Sequence, residues 1–171
     1  LRPDEEHPEL EKHLADIFSG RFNEERRARA HPLLFQRVLV KDIYAHLFAY
    51  WAHLRFPQVK IILLQRNPLA VAASKLNLQH WFPNSSVDLL LSQSTLVEDH
   101  LREHKRLLRR VARRGDFIEN QVAIWAVLNS VLLRQFEGVE GGVVATVRYE
   151  TLLADPARTL AGLKSLLSTD P

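Results

Sequence analysis

Lys41, Arg66 and Ser74 are the residues whose types and spacing suit chemistry. Lys41 ends a short apolar run, Gln36-Arg37-Val38-Leu39-Val40-Lys41, and Arg66 stands just past a second, Val59 to Leu64. Runs of this length and composition predict strands. In an open parallel sheet, ligands bind beyond the carboxyl ends of the strands, where loops lead into helix N-termini. If these two strands are parallel neighbours, both cations leave the same edge. Asn67 can cap the Ala/Leu-rich helix predicted over Leu69 to Leu78, and Pro68 suits its first turn. Such a start adds backbone N–H groups and a positive dipole end. Ser74 follows Asn67 by seven residues, two helical turns along the same face. A guanidinium fork, helix N–H groups and a hydroxyl together suit a phosphate. The plainer alternative is that Arg66 pairs with a surface carboxylate and Ser74 bonds back to its own helix.

The elements that must position these groups alternate. A helix is predicted near the start, where Leu10, Leu14, Ile17 and Phe18 recur at helical spacing, and another from Ile43 to Phe56. With the two strands, this order predicts a βαβ unit. Helices follow over Thr95 to Arg113 and Phe117 to Phe136, then a third strand, Val143 to Arg148, ending at Tyr149-Glu150. A last helix opens at Asp155-Pro156 and runs through Leu167. The predicted class is α/β.

Composition narrows the field. A chain of 171 residues fits one domain, taken here as residues 1–171. The absence of Met at position 1 points to a fragment or a processed piece. With no cysteine, a disulfide scaffold, a Cys-based zinc site and a thiol nucleophile are excluded, and an oxidising lumen is disfavoured. The net charge of +3 favours an anionic partner without demanding nucleic acid. No apolar run reaches the roughly 18–20 residues of a membrane span, and a cytoplasmic setting is expected.

The segments around these residues resemble a family. Val40-Lys41-Asp42, and then Gln65-Arg66-Asn67-Pro68-Leu69-Ala70-Val71-Ala72-Ala73-Ser74, are similar to the core of the sulfotransferases that use 3′-phosphoadenosine 5′-phosphosulfate (PAPS). Ser74 lies eight residues after Arg66, as in the family pattern. Ile124-Trp125-Ala126-Val127-Leu128-Asn129 resembles the central helix of bacterial members, and Val147-Arg148-Tyr149-Glu150-Thr151-Leu152-Leu153-Ala154-Asp155-Pro156 a later segment. The resemblance spans about residues 32–168. It implies a three-layer, P-loop-like fold with a parallel sheet flanked by helices, its N-terminal phosphosulfate loop missing from this chain. It implies transfer of a sulfuryl group from PAPS to a hydroxyl or amine of a small-molecule, saccharide or peptide acceptor, without a metal. Arg66 and Ser74 would grip the 3′-phosphate, and Lys41 would face the phosphosulfate or the acceptor. Asp42 is a candidate base, or merely the cap of the helix beginning at Ile43; His46 is a weaker candidate. Cytosolic members carry a His where this chain has Ile43. Two other readings stand beside this one: a non-catalytic nucleotide-binding module, and a P-loop kinase relative.

Remaining signals have bland readings. Arg102, Lys105, Arg106, Arg109, Arg110, Arg113 and Arg114 form a predicted basic stripe, by default a solvated face. Without aromatic interleaving or a reader motif, no nucleic-acid partner is expected. His100 and His104 have zinc-ligand spacing but no evident third ligand. Trp51, Trp81 and Trp125 are expected in the core, and the irregular stretch Gln79 to Thr95 is the expected acceptor wall.

Overall fold

The computed structural model describes residues 1–21, 38–43, 45–78, 86–139 and 143–168. The chain falls into two compact units, Leu1–Lys60 and Ile61–Asp170.

In the first unit, helix α1 (Pro8–Phe18) opens with proline in its first turn, where the missing N–H costs nothing. A 3-10 turn, Ala45–Leu47, leads into α2 (Ala49–Arg55). Leu14, Trp51 and Ala52 are buried together, with Leu10, Ile17, Phe18, Phe48 and Phe56 packed around them. The Trp51 indole N–H donates to the Glu5 carbonyl at 2.8 Å, and the Arg55 guanidinium lies 4.0 Å from the Trp51 ring centre. Trp51 thus fills the core, as its type suggested.

The strand expected over 36–41 does not form in its described part. Val38 to Asp42 have no regular structure, and Gln36 and Arg37 lie outside the described residues. Val38, Leu39 and Val40 are 50%, 90% and 42% exposed. Strand propensity reflects packing on a pleated, half-buried surface. Among the described residues no ladder partner reaches this run, so its composition alone does not make it a strand.

The second unit is helical around a small sheet. Strands β1 (Ile61–Gln65) and β2 (Val144–Arg148) pair in parallel, with Ile61 opposite Val144 and Gln65 opposite Arg148. Among the described residues the sheet has these two strands, so the structure is mixed α/β and mostly helical. The parallel neighbour of β1 is therefore the third predicted strand, reached through a long helical crossover.

That crossover holds α3 (Pro68–Leu76), α4 (Val87–Leu91), α5 (Lys105–Arg114) and α6 (Phe117–Gln135). Between α4 and α5, one turn at Ser94–Leu96 widens into π geometry at Val97–Leu101, so the helix expected over 95–113 is not continuous. Gly115 ends α5 at φ 68°, a left-handed conformation that glycine takes without a Cβ clash. Asp116 then caps α6 by accepting the Glu119 N–H at 2.8 Å.

Helix α6 is the spine of the unit. It packs against α3, α4 and α5, and buries Ile124, Val127, Val131 and Leu132. Its three buried polar residues, Asn120, Gln121 and Asn129, are engaged, whereas the buried Gln135 Oε1 and Glu119 Oε2 have no partner among the described residues. Asn120 accepts the Val87 N–H and donates to the Asp116 carbonyl. Gln121 accepts from the Lys75 ammonium at 3.0 Å, and Asn129 joins Gln65 to the Trp125 carbonyl. After β2, α7 (Tyr149–Ala154) and α8 (Pro156–Ser168) pack against that strand. Among the described residues no helix is long and apolar enough to cross a membrane.

Candidate functional site

The carboxyl edge of the sheet is built from two strand-to-helix turns standing level. Because Gln65 faces Arg148 in the parallel register, the next residues, Arg66 and Tyr149, leave the edge side by side. The Arg66 guanidinium lies 5.2 Å from the Tyr149 ring centre, within cation–π reach. Below them, the Gln65 side-chain amide donates to Asn129 Oδ1 at 2.9 Å, and Asn129 Nδ2 donates to the Trp125 carbonyl at 2.8 Å. This chain of amides ties the end of β1 to α6.

The start of α3 follows the sequence signal closely. Asn67 Oδ1 accepts the N–H groups of Leu69 at 2.9 Å and Ala70 at 3.3 Å. The Val71 N–H donates to the Asn67 carbonyl, and Pro68 has no N–H. The N–H of Asn67 itself donates to Glu150 Oε1 at 2.8 Å. Every backbone donor from Asn67 to Val71 is therefore engaged. This corrects one expectation: the helix start carries its dipole end, but not the vacant N–H groups that the sequence suggested.

The same contact explains the acidity of Glu150. Its carboxyl is held below the usual carboxylate range, first by the Asn67 N–H and its own backbone N–H, then by the charges of Arg66 and Arg148.

Arg66 and Ser74 are both exposed. Among the described residues no carboxylate comes within ion-pair distance of the Arg66 guanidinium, which is occupied only by the Tyr149 ring. Ser92, Ser130 and Thr159 give their hydroxyls to nearby backbone carbonyls. Among the described residues Ser74 makes no such bond, and Arg66 makes no ion pair, although its charge acts on the nearby Glu150 carboxylate. What remains on offer is a five-donor fork and one hydroxyl, on the edge and the adjoining helix.

Lys41 and Asp42 belong to the first unit and are exposed. They do not end a strand, so the strand-end rule gives them no placement. His46, one turn on, is half-buried; burial pushes its pKa down, against the pull of Asp42. Its Nδ1 is buried and has no partner among the described residues. That nitrogen is sealed from solvent.

The other singled-out groups sort themselves. Arg106, Arg109, Arg110, Arg113 and Arg114 are exposed on α5, with Arg114 paired to Glu119 at 3.1 Å. A cavity of about 410 Å³ beside this ridge is lined by Asp88, Arg109, Ala112 and Arg113, none of them a predicted site residue. His100 lies in the π turn and His104 precedes α5, so they do not share one α-helical face. Part of the expected acceptor wall, residues 79–85 with Trp81, lies outside the described residues.

Two contacts escaped the sequence reading. The support of Asn67 by Glu150 spans 83 residues and that of Gln65 by Asn129 spans 64. A Glu following a strand was the available signal for the first. Nothing local signals the second. No family model, curated protein or solved structure matches this chain.

Proposed function

We propose that this chain carries the 3′-phosphate part of a PAPS site and belongs to a sulfotransferase acting on a hydroxyl or amine acceptor. The observation that supports the reading is the pair of uncommitted groups, Arg66 and Ser74, at the spacing the resemblance requires. A guanidinium fork matches a phosphate in charge and geometry, and a hydroxyl supplies one further donor. The residues fit the group to that extent, while the backbone of α3 contributes only its dipole.

PAPS, when bound, supplies an activated sulfuryl group. Arg66 and Ser74 would hold the nucleotide by its 3′-phosphate, with the Tyr149 ring beside the guanidinium. The reaction needs a cation for charge developing on the leaving phosphate, a role Lys41 fills in this reading. It also needs an acceptor for the hydroxyl proton, and Asp42 is the carboxylate assigned to it. A saccharide, peptide or small molecule can present that hydroxyl or amine. A cytoplasmic setting is part of the same proposal.

The irregular backbone at Lys41 favours one second reading, a module that binds the nucleotide without transferring the sulfuryl group. Calorimetric titration with 3′-phosphoadenosine 5′-phosphate, with adenosine 5′-monophosphate as control, tests the site. Preference for the 3′-phosphate, lost in Arg66→Ala, is the expected result. Equal affinity for both nucleotides, or an unchanged Arg66→Ala, overturns it. Turnover with labelled PAPS and a mixed acceptor set, lost in Lys41→Ala, separates transferase from binding module.

A further inference from the structure

Helix α3 lacks half of a complete N-terminal cap within its own sequence. In a capping box, the side chain at the third helical position reaches back to the N–H of the capping residue. Here that position is Ala70, which has no acceptor to offer. The Asn67 N–H is satisfied instead by Glu150 Oε1 at 2.8 Å, from the turn after β2.

Glu150 thereby fastens one strand-to-helix turn to the other. Its neighbour Tyr149 carries the Arg66 guanidinium on its ring, and Asn67 directly follows Arg66. Two contacts thus flank Arg66: its guanidinium lies by the Tyr149 ring, and the N–H of the next residue, Asn67, donates to the Glu150 carboxylate. A fork that must meet a phosphate at two points depends on such orientation.

We propose that Glu150 is a positioning residue for anion binding, acting through the Asn67 N–H to set the direction of Arg66. The inference rests on the phosphate-binding reading above. It assigns Glu150 a supporting contact, not one to the ligand. The carboxylate acts as a hydrogen-bond acceptor, so a neutral acceptor of the same length preserves its role. Its negative charge works slightly against an anion at Arg66.

The experiment compares wild type, Glu150→Ala and Glu150→Gln by calorimetry with 3′-phosphoadenosine 5′-phosphate and with adenosine 5′-monophosphate. Circular dichroism and thermal melting are run on each variant. Because Glu150 is exposed, both variants are expected to fold. Glu150→Ala should weaken binding of the 3′-phosphorylated nucleotide by about tenfold, the scale of one lost charge-assisted hydrogen bond. Its preference over the monophosphate should shrink in step. Glu150→Gln should bind as wild type does or slightly more tightly. Unchanged or tighter binding in Glu150→Ala overturns the proposal, as does a Glu150→Gln as weak as Glu150→Ala. Absence of 3′-phosphate preference in wild type itself removes the underlying reading, and this proposal with it.

Discussion

The two turns at the carboxyl edge of the sheet leave level strands, yet they are finished in opposite ways. After β1, Asn67 caps α3 with two hydrogen bonds and every early backbone donor is engaged, while the side chain of Arg66 stays uncommitted. After β2, Arg148 occupies the capping position of α7 without any side-chain cap bond, and the side chains of Tyr149 and Glu150 turn to the neighbouring turn instead. One turn is capped by its own Asn67, with its remaining donor met from the other turn, and exposes the Arg66 guanidinium. The other is locally incomplete and lends its side chains as support. On the proposed reading, this asymmetry separates presentation, at Arg66, from positioning, at Tyr149 and Glu150, between adjacent parallel elements.

Substitutions at matched positions sharpen that contrast. The largest effect is expected at Arg66. Losing a charged, forked donor to phosphate should cost about 1.5–3 kcal/mol of nucleotide binding, read by calorimetry as an affinity loss of at least tenfold. Thermal stability should hardly move, because the side chain is exposed and makes no ion pair among the described residues. A large loss of stability instead would make Arg66 a structural residue and erase the distinction between the turns.

Next in size is Asn67→Ala against Arg148→Ala. The first removes a two-bond cap and should destabilise the chain by about 1 kcal/mol in urea titrations. The second removes a cap residue that makes no cap bond and should stay within about 0.5 kcal/mol. Equal losses would show that the capping difference carries no energetic weight. Ser74→Ala is smaller again on binding: loss of one neutral hydroxyl, about 0.5–1.5 kcal/mol, with stability unchanged because the hydroxyl bonds nothing on its own helix among the described residues.

The smallest effect concerns acid. The Glu150 carboxyl is depressed in the folded chain, chiefly by the Asn67 N–H. A depressed carboxyl contributes stability above its unfolded value, about 4.3, and loses that contribution as pH falls through the lower folded value. Wild type should therefore exceed Glu150→Gln slightly in urea stability at pH 7, and the two should converge below about pH 4. Since Glu150 is exposed, solvent screens the effect and the gap is small. His46 and His53 tilt the acid side in the same sense. Burial lowers both, so the unfolded chain takes up protons more readily below about pH 6.5 and stability falls there. His46→Gln should flatten that limb while leaving the Glu150 difference intact.

Several elements of the edge were legible in advance because their causes lie within a few residues. The pair Asn67-Pro68 announces the start of α3, since a cap bonds only two or three residues ahead. The apolar runs at β1 and β2 were recognisable from composition. The pairing was not. Residues 36–41 and 59–64 looked like parallel neighbours, yet β1 aligns with Val144–Arg148, about eighty residues onward. Val38 to Val40 have the composition of a strand and no ladder partner among the described residues.

The sequence by itself determined where α3 begins, where α5 stops at Gly115, which runs can be strands, and that Arg66 follows one of them. Each of these depends on interactions within one turn of the chain. Only the tertiary structure decided which strands are neighbours, that Tyr149 lies against Arg66, and that Glu150 closes the cap of α3 from a distance. Those contacts join segments that the chain separates widely. They form only once loop closure has been offset by packing on α6, so no local pattern records them.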